Sequence, residues 1–175
     1  SAGNFTSTGQ ANTALGVAAL TSNTTGLHNT AAGYHTLLFN STGAGNVAIG
    51  SEALEKNTSG FANTAVGQVA LQENTTGNSN TGVGNAVLIF NTTGSANTAT
   101  GSAALNRNTT GSFNTAHGSN ALRLGTTGSN NTASGYNSLT NNTTGDYNSA
   151  NGRGSLSSNT TGFENTATGF RALAI

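Results

Sequence analysis

The residues able to do chemistry in this chain are few and thinly spread. Five Lys or Arg, five Asp or Glu and three His carry all of its side-chain charge, and there is no cysteine. Disulfides and thiolate metal sites are therefore excluded. Glu55 and Glu73 are separated by about one repeat of the pattern described below, so their spacing permits a carboxylate pair for general acid–base work. A solvated surface is the simpler reading of both. His28, His35 and His117 stand at three different places of that pattern. His117 has no carboxylate or second histidine near it in sequence, which argues against a metal centre. Gly43-Ala44-Gly45-Asn46-Val47-Ala48 matches the dinucleotide fingerprint G-x-G-x-x-A. That fingerprint needs a strand before it, a helix after it and a nucleotide-sized βαβ unit, and none is predicted here. No catalytic residue, metal ligand or cofactor site is expected.

Two surface chemistries remain. Asn23, Asn40, Asn57, Asn74, Asn91, Asn108, Asn142 and Asn159 each open an N-x-[S/T] sequon. They predict either a regular column of sugars along one edge or, more simply, turns whose hydrogen bonds Asn and Thr satisfy locally. The threonines two residues on form a second column: Thr25, Thr42, Thr76, Thr93, Thr110, Thr127, Thr144 and Thr161. Adjacent threonines of an extended segment point to opposite faces, so one of the two could line a flat, exposed, ice-ordering ladder with ~4.8 Å spacing. The paired T-x-T ranks of such ladders are missing. Aromatic residues share columns as well: Phe39 and Phe90 with Phe5, Tyr34 and Tyr136 with Phe170, and Phe61 with Phe163. Exposed rings grip sugars or partner proteins, but more often cover gaps between chains or stand alone on a surface.

What positions all of these is a single repeat. The motif NTALG at Asn12 returns at residues 29, 46, 63, 80, 97, 114, 131, 148 and 165, always 17 residues on. The consensus is N-T-A-x-G-x-x-A-L-x-x-N-T-T-G-x-x. Asn fills the first of its 17 places in all ten copies, Gly the fifth and Leu the ninth. A linker drifts in length because nothing holds its register, whereas one extra residue in a stacked coil breaks every ladder beside it. The repeat is too short for two helices and their turns, and good helix formers are scarce. Short strands punctuated by Gly and Asn turns predict an all-β chain, a parallel β-solenoid of ten 17-residue coils in one domain over residues 1–175, with a partial coil at 1–11. An odd period cannot keep strict in–out alternation, so at least one place per coil must break the pleat; the fixed Asn and Gly places are the candidates.

Charged residues make up only 6% of the chain, with five positive and five negative, so its totals steer it toward neither nucleic acid nor an anionic membrane. No apolar run is long enough to span a bilayer and no signal-peptide pattern is present, so no membrane insertion is expected. Methionine is absent even at position 1, and the chain reads as processed or excerpted. Neither end carries a divergent capping repeat, so a fibre continuing in both directions is expected. The core looks thin, with one leucine worth roughly 1.5–3 kcal/mol in each coil. Sharing leucines and alanines among several chains around one axis would relieve that, most simply in a homotrimer.

The segment GAGNVAIGSEALEK, residues 43–56, resembles the head repeat of trimeric autotransporter adhesins of the YadA type. The longer unit, with NTTG between successive NTAxG motifs, is similar to repeats of bacterial and phage tail fibres. The resemblance implies a left-handed, homotrimeric β-roll on the outside of a cell or virion, an adhesive head or spacer. Its partners would be copies of itself and a host-cell, matrix or carbohydrate receptor. The repeat here is longer than that of the familiar head, and most copies have Thr where the head motif has Ser-Val. The expected function is a non-catalytic segment of an extracellular fibre. An ice-binding solenoid and a glycan-bearing fibril are the alternatives.

Overall fold

In the computed structural model, residues 8–174 are described; Ser1–Ser7, most of the expected partial coil, and Ile175 lie outside the described residues. Ten strands form, one per coil, with no helix among them: β1 (Thr13–Leu15), β2 (Thr30–Ala32), β3 (Val47–Ile49), β4 (Thr64–Val66), β5 (Thr81–Val83), β6 (Thr98–Thr100), β7 (Thr115–His117), β8 (Thr132–Ser134), β9 (Ser149–Asn151) and β10 (Thr166–Thr168). They pair in parallel in chain order, each residue opposite its equivalent 17 positions away, as Thr64 is opposite Thr81. The chain is therefore a parallel β-solenoid, as its period predicts.

Only three residues per coil are strand, and the rest of the coil is turn. The second and fourth places point outward. The third, alanine in nine coils and Gly82 in the tenth, points inward. Alanine fits there because Leu and a second small residue arrive from the far side of the coil. Ala48, Ala53 and Leu54 are all fully buried. In coil 5 the volumes are exchanged: Gly82 faces Val87, whose Cγ1 would stand 3.1 Å from an added Cβ. Such compensation is what a close-packed interior demands. Where the eighth place is polar it satisfies itself, as when Thr36 Oγ1 donates to the Gly50 carbonyl at 3.0 Å.

The core closes within one chain, which corrects the expectation that it is shared. Leu37, Leu54, Leu71, Leu88 and Leu139 have no solvent exposure in the single rod. Their side chains are not available to a neighbour, so any association uses other residues.

The pleat is broken at four places per coil, not mainly at the asparagines. Gly at the fifth place has φ between +114° and +145°, a conformation costly for any side chain. The seventh, ninth and seventeenth places are left-handed as well, and hold ordinary residues. Every leucine of the ninth place has φ between 48° and 54°. A non-glycine residue there costs about 1–2 kcal/mol, and the neighbouring coil holds it. Leu54 N–H donates to the Ala70 carbonyl at 3.0 Å, while its side chain fills the core. Val69, β-branched, carries the same strain at φ 51°, where Asn120 and Asn137 fill the equivalent place in other coils. Asparagine tolerates this region better than valine. Val69→Asn is expected to raise the melting temperature by about 2–4 °C, a gain of ~1 kcal/mol read by circular dichroism.

The asparagines of the first place, invariant, and of the twelfth, interrupted only by Gly125, run inside the rod as two parallel amide ladders. At the first place, Asn46 N–H donates to Asn29 Oδ1 at 2.9 Å, and Asn46 Nδ2 donates to the Gly60 carbonyl at 2.8 Å. At the twelfth place, Asn57 Nδ2 donates to Asn40 Oδ1 at 2.7 Å and to the same Gly60 carbonyl at 3.0 Å. One carbonyl thus accepts from both ladders. This explains the second invariant glycine, whose φ is not left-handed. A Cβ on Gly60 would stand 2.5 Å from the Gly77 oxygen, so the coils approach too closely for a side chain.

Candidate functional site

The interior ladders settle where the sequon asparagines lie. Asn40, Asn57, Asn74, Asn91, Asn108 and Asn142 are fully buried, Asn23 is 2% exposed, and Asn159 is half-buried in the last complete coil. Their amide nitrogens are committed to a carbonyl of their own turn, as Asn91 Nδ2 is to Gly94 at 2.9 Å. A sugar on such a nitrogen would stand where the neighbouring coil runs, so the folded stack has no room for the glycan column that the sequons permit. Satisfying turn and ladder hydrogen bonds is what these amides do here.

The threonines beside them divide their work. At the thirteenth place the hydroxyl is structural: Thr75 Oγ1 donates to the Thr92 carbonyl at 3.0 Å, and Thr92 Oγ1 to Thr109 likewise. At the fourteenth place Thr25, Thr42, Thr76, Thr93, Thr110, Thr127, Thr144 and Thr161, with Ser59 between them, all face solvent. They form an unbroken exposed column one hydroxyl wide.

The outward face of the ten-stranded sheet changes character halfway. Its fourth-place residues are aliphatic in β1–β5, namely Leu15, Ala32, Ile49, Val66 and Val83, then polar in β6–β10. Leu15 is 70% exposed and Ile49 44%. His117 belongs to the polar half, its Nδ1 2.7 Å from Thr100 Oγ1.

A third face is built from places six, seven, ten and eleven, which line a groove beside the leucine turn. It carries eight of the ten charged side chains. Glu55 and Glu73 engage different hydrogen-bond partners there. Glu73 takes Lys56 at 2.8 Å, a contact that holds the lysine pKa above its usual range through a direct hydrogen bond. Glu55 Oε1 lies 3.6 Å from His35 Nδ1, and Gln72 Nε2 donates to Glu55 at 2.9 Å and to Glu52 at 2.7 Å. The acids of coils 3 and 4 are thereby tied to neighbours within the face. Among the described residues, no group of three His, Asp or Glu stands close enough to hold a metal ion. The G-x-G-x-x-A match runs from a turn straight into β3, with no helix to receive a phosphate.

Totalling charges over the whole chain conceals this face. Folding them on the 17-residue period would have shown it, because Arg171, Arg123 and Arg107 then fall on the same places as Glu52, Glu55 and Glu73, two or more coils away, with Arg153 on the adjoining sixth place.

Compared with known proteins, the chain matches no family model, no curated protein and no solved structure. Among its described residues, no helix is long and apolar enough to cross a membrane.

Proposed function

We propose that this chain is a stiff structural and adhesive segment of an extracellular fibre, assembled as a homotrimer and without catalytic activity. The observation that carries the reading is the uninterrupted stack itself. Ten coils keep one register, the invariant places serve the core and its ladders, and most of the variation falls on outward positions. Such a chain specifies a rod with a variable surface. At ~4.8 Å per coil, ten coils give roughly 50 Å of length. The association surface in this reading is the aliphatic row Leu15, Ala32, Ile49, Val66 and Val83, since the core leucines are spent within the chain. The YadA-like segment at 43–56 and its implied left-handed trimer accord with this assignment.

Light scattering on the soluble protein tests it. A mass three times that of the chain is expected, falling to the single-chain mass in Ile49→Asp. A monomer at all concentrations would refute the trimer. The exposed threonine column favours one other reading, an ice-binding solenoid. Freezing-point hysteresis that disappears in Thr76→Tyr would establish it, and the fibre reading expects none.

A further inference from the structure

The groove face is electrically polar along the rod. Its acids lie in coils 3 and 4 and are already matched to Lys56, Gln72 and His35. From coil 6 onward the same face holds Arg107, Arg123, Arg153 and Arg171, all exposed. None of the four forms an ion pair among the described residues, and Asp146 and Glu164 stand at places sixteen and seventeen, away from this groove. Four unneutralised guanidinium groups on one strip of a chain with no net charge are a local feature that its totals do not express.

Two recesses open beside these arginines, the first on the flank between places eleven and thirteen and the second in the groove itself, and each joins aromatic and arginine side chains. One, of about 340 Å³, is lined by Phe90, Arg107, Thr109 and Thr126. The other, of about 350 Å³, is lined among others by Tyr136, Asn137, Asn141, Arg153, Phe170 and Arg171. In the second, Arg153 is stacked between two rings, its Cζ 5.6 Å from the Tyr136 centroid and 5.7 Å from that of Phe170. Cation–π contact on both sides holds the planar guanidinium in place, leaving its N–H edge as the free recognition surface. That fork matches a carboxylate bidentately. Beside it, Asn137 supplies an amide and Asn141, whose Nδ2 already donates to the Ser157 carbonyl at 2.7 Å, an amide oxygen suited to hydroxyls.

We propose that coils 6–10 bind a linear acidic saccharide, a chain of carboxylated sugars lying along the groove, with one carboxylate gripped by Arg153 between Tyr136 and Phe170. The arginines stand in coils 6, 7, 9 and 10 of one face, spread along the rod as the charges of a linear polyanion are. A nucleic acid fits less well, because the ring faces that would stack bases are taken by Arg153. A second copy of this chain also fits less well, because Glu73 is held by Lys56 and the Glu52 and Glu55 carboxylates are both engaged by the Gln72 amide within their own face. The inference specifies the adhesive part of the reading above.

Titration of the full chain with a short oligogalacturonate, followed by calorimetry, tests it, with a neutral galacto-oligosaccharide as the comparison. Binding of the acidic oligomer alone is expected, weakening as salt rises. Arg153→Gln should reduce affinity about tenfold or more, and Arg153→Lys should restore it only partly, since lysine lacks the fork. Arg153 is exposed, so the far-ultraviolet spectrum of both variants should match that of the parent. No binding, equal binding of the neutral sugar, or unchanged affinity in Arg153→Gln would overturn the proposal. Tighter binding of a single-stranded oligonucleotide of equal charge would reassign the groove to nucleic acid. Concentration-dependent self-association lost in Arg153→Gln would reassign it to a second copy. A monomer that still binds the acidic sugar would refute the trimer and leave the groove standing; a trimer that ignores it would do the reverse.

Discussion

Gly101→Ala is expected to lower the melting temperature by about 10–15 °C. Gly101 sits at the fifth place of coil 6 with φ +114°, outside the region where an alanine rests comfortably. Its added Cβ would stand 2.7 Å from the Gly118 carbonyl carbon, 2.9 Å from the oxygen and 3.0 Å from the Ser119 nitrogen. All three are backbone atoms of the next coil, and they cannot turn aside as a side-chain tip could. Backbone strain of ~1–3 kcal/mol adds to overpacking of ~1–3 kcal/mol, and a chain of this size loses about 2–4 °C for each kcal/mol. Because each coil touches only its neighbours, the damage falls on one interface near the middle of the rod. Melting of Gly101→Ala should therefore broaden or split as well as shift.

Gly45→Ala provides the control. Gly45 also has a positive φ, +66°, but its nearest neighbour to an added Cβ is the Ala62 nitrogen at 3.9 Å. Ala62 and Ala96 occupy the same place in other coils at φ 55° and 57°. Little change in melting temperature is expected for Gly45→Ala. If the two variants melted alike, close coil approach would not be what fixes the fifth-place glycine.

The same contrast separates what a sequence can convey about this fold from what it cannot. Period, parallel stacking and exact register were all legible, since ten copies without a slipped residue admit no other order. The leucine column was legible as core. Its left-handed backbone was not, because leucine has no preference for φ near 50° and is held there by an N–H bond to the next coil. The asparagines misled in a related way. Asn favours turns and tolerates positive φ, so the invariant Asn places read as breaks in the pleat, but a buried ladder uses the amide for its paired donor and acceptor. The eight sequons are a by-product of that ladder asparagine standing two places before the exposed threonine or serine of the fourteenth place. The groove was hidden by arithmetic: five charges of each sign cancel in total while separating along one face.

The second large effect is a gain. Gly125 is the one place where the twelfth-position ladder lacks its asparagine, and the consequence is local. Asn108 Oδ1, which would accept the missing amide, is buried without a hydrogen-bond partner, the only side-chain atom so placed among the described residues. Below it, Asn108 Nδ2 still donates to Asn91 Oδ1 at 2.7 Å; beyond the gap the ladder resumes where Asn159 Nδ2 donates to Asn142 Oδ1 at 2.9 Å. Gly125→Asn should close it, with the new Nδ2 donating to Asn108 and to the Gly128 carbonyl, and the new Oδ1 accepting from Asn142. The φ of Gly125 is not left-handed, and its Cβ would lie 3.3 Å from the Leu122 and Asn142 oxygens, tight but at a place that eight other coils fill with asparagine. Pairing a buried orphan acceptor is worth about 1–3 kcal/mol, and replacing glycine restricts the unfolded chain by a further ~0.4–1 kcal/mol. Together these predict a rise of about 4–8 °C in melting temperature. Gly125→Ala separates the two contributions, because it carries the backbone gain without the amide and should yield only about 1–3 °C. Were the alanine and asparagine variants equally stable, the Asn ladder would contribute nothing net, and the stability of the rod would rest on its leucines and backbone ladders alone.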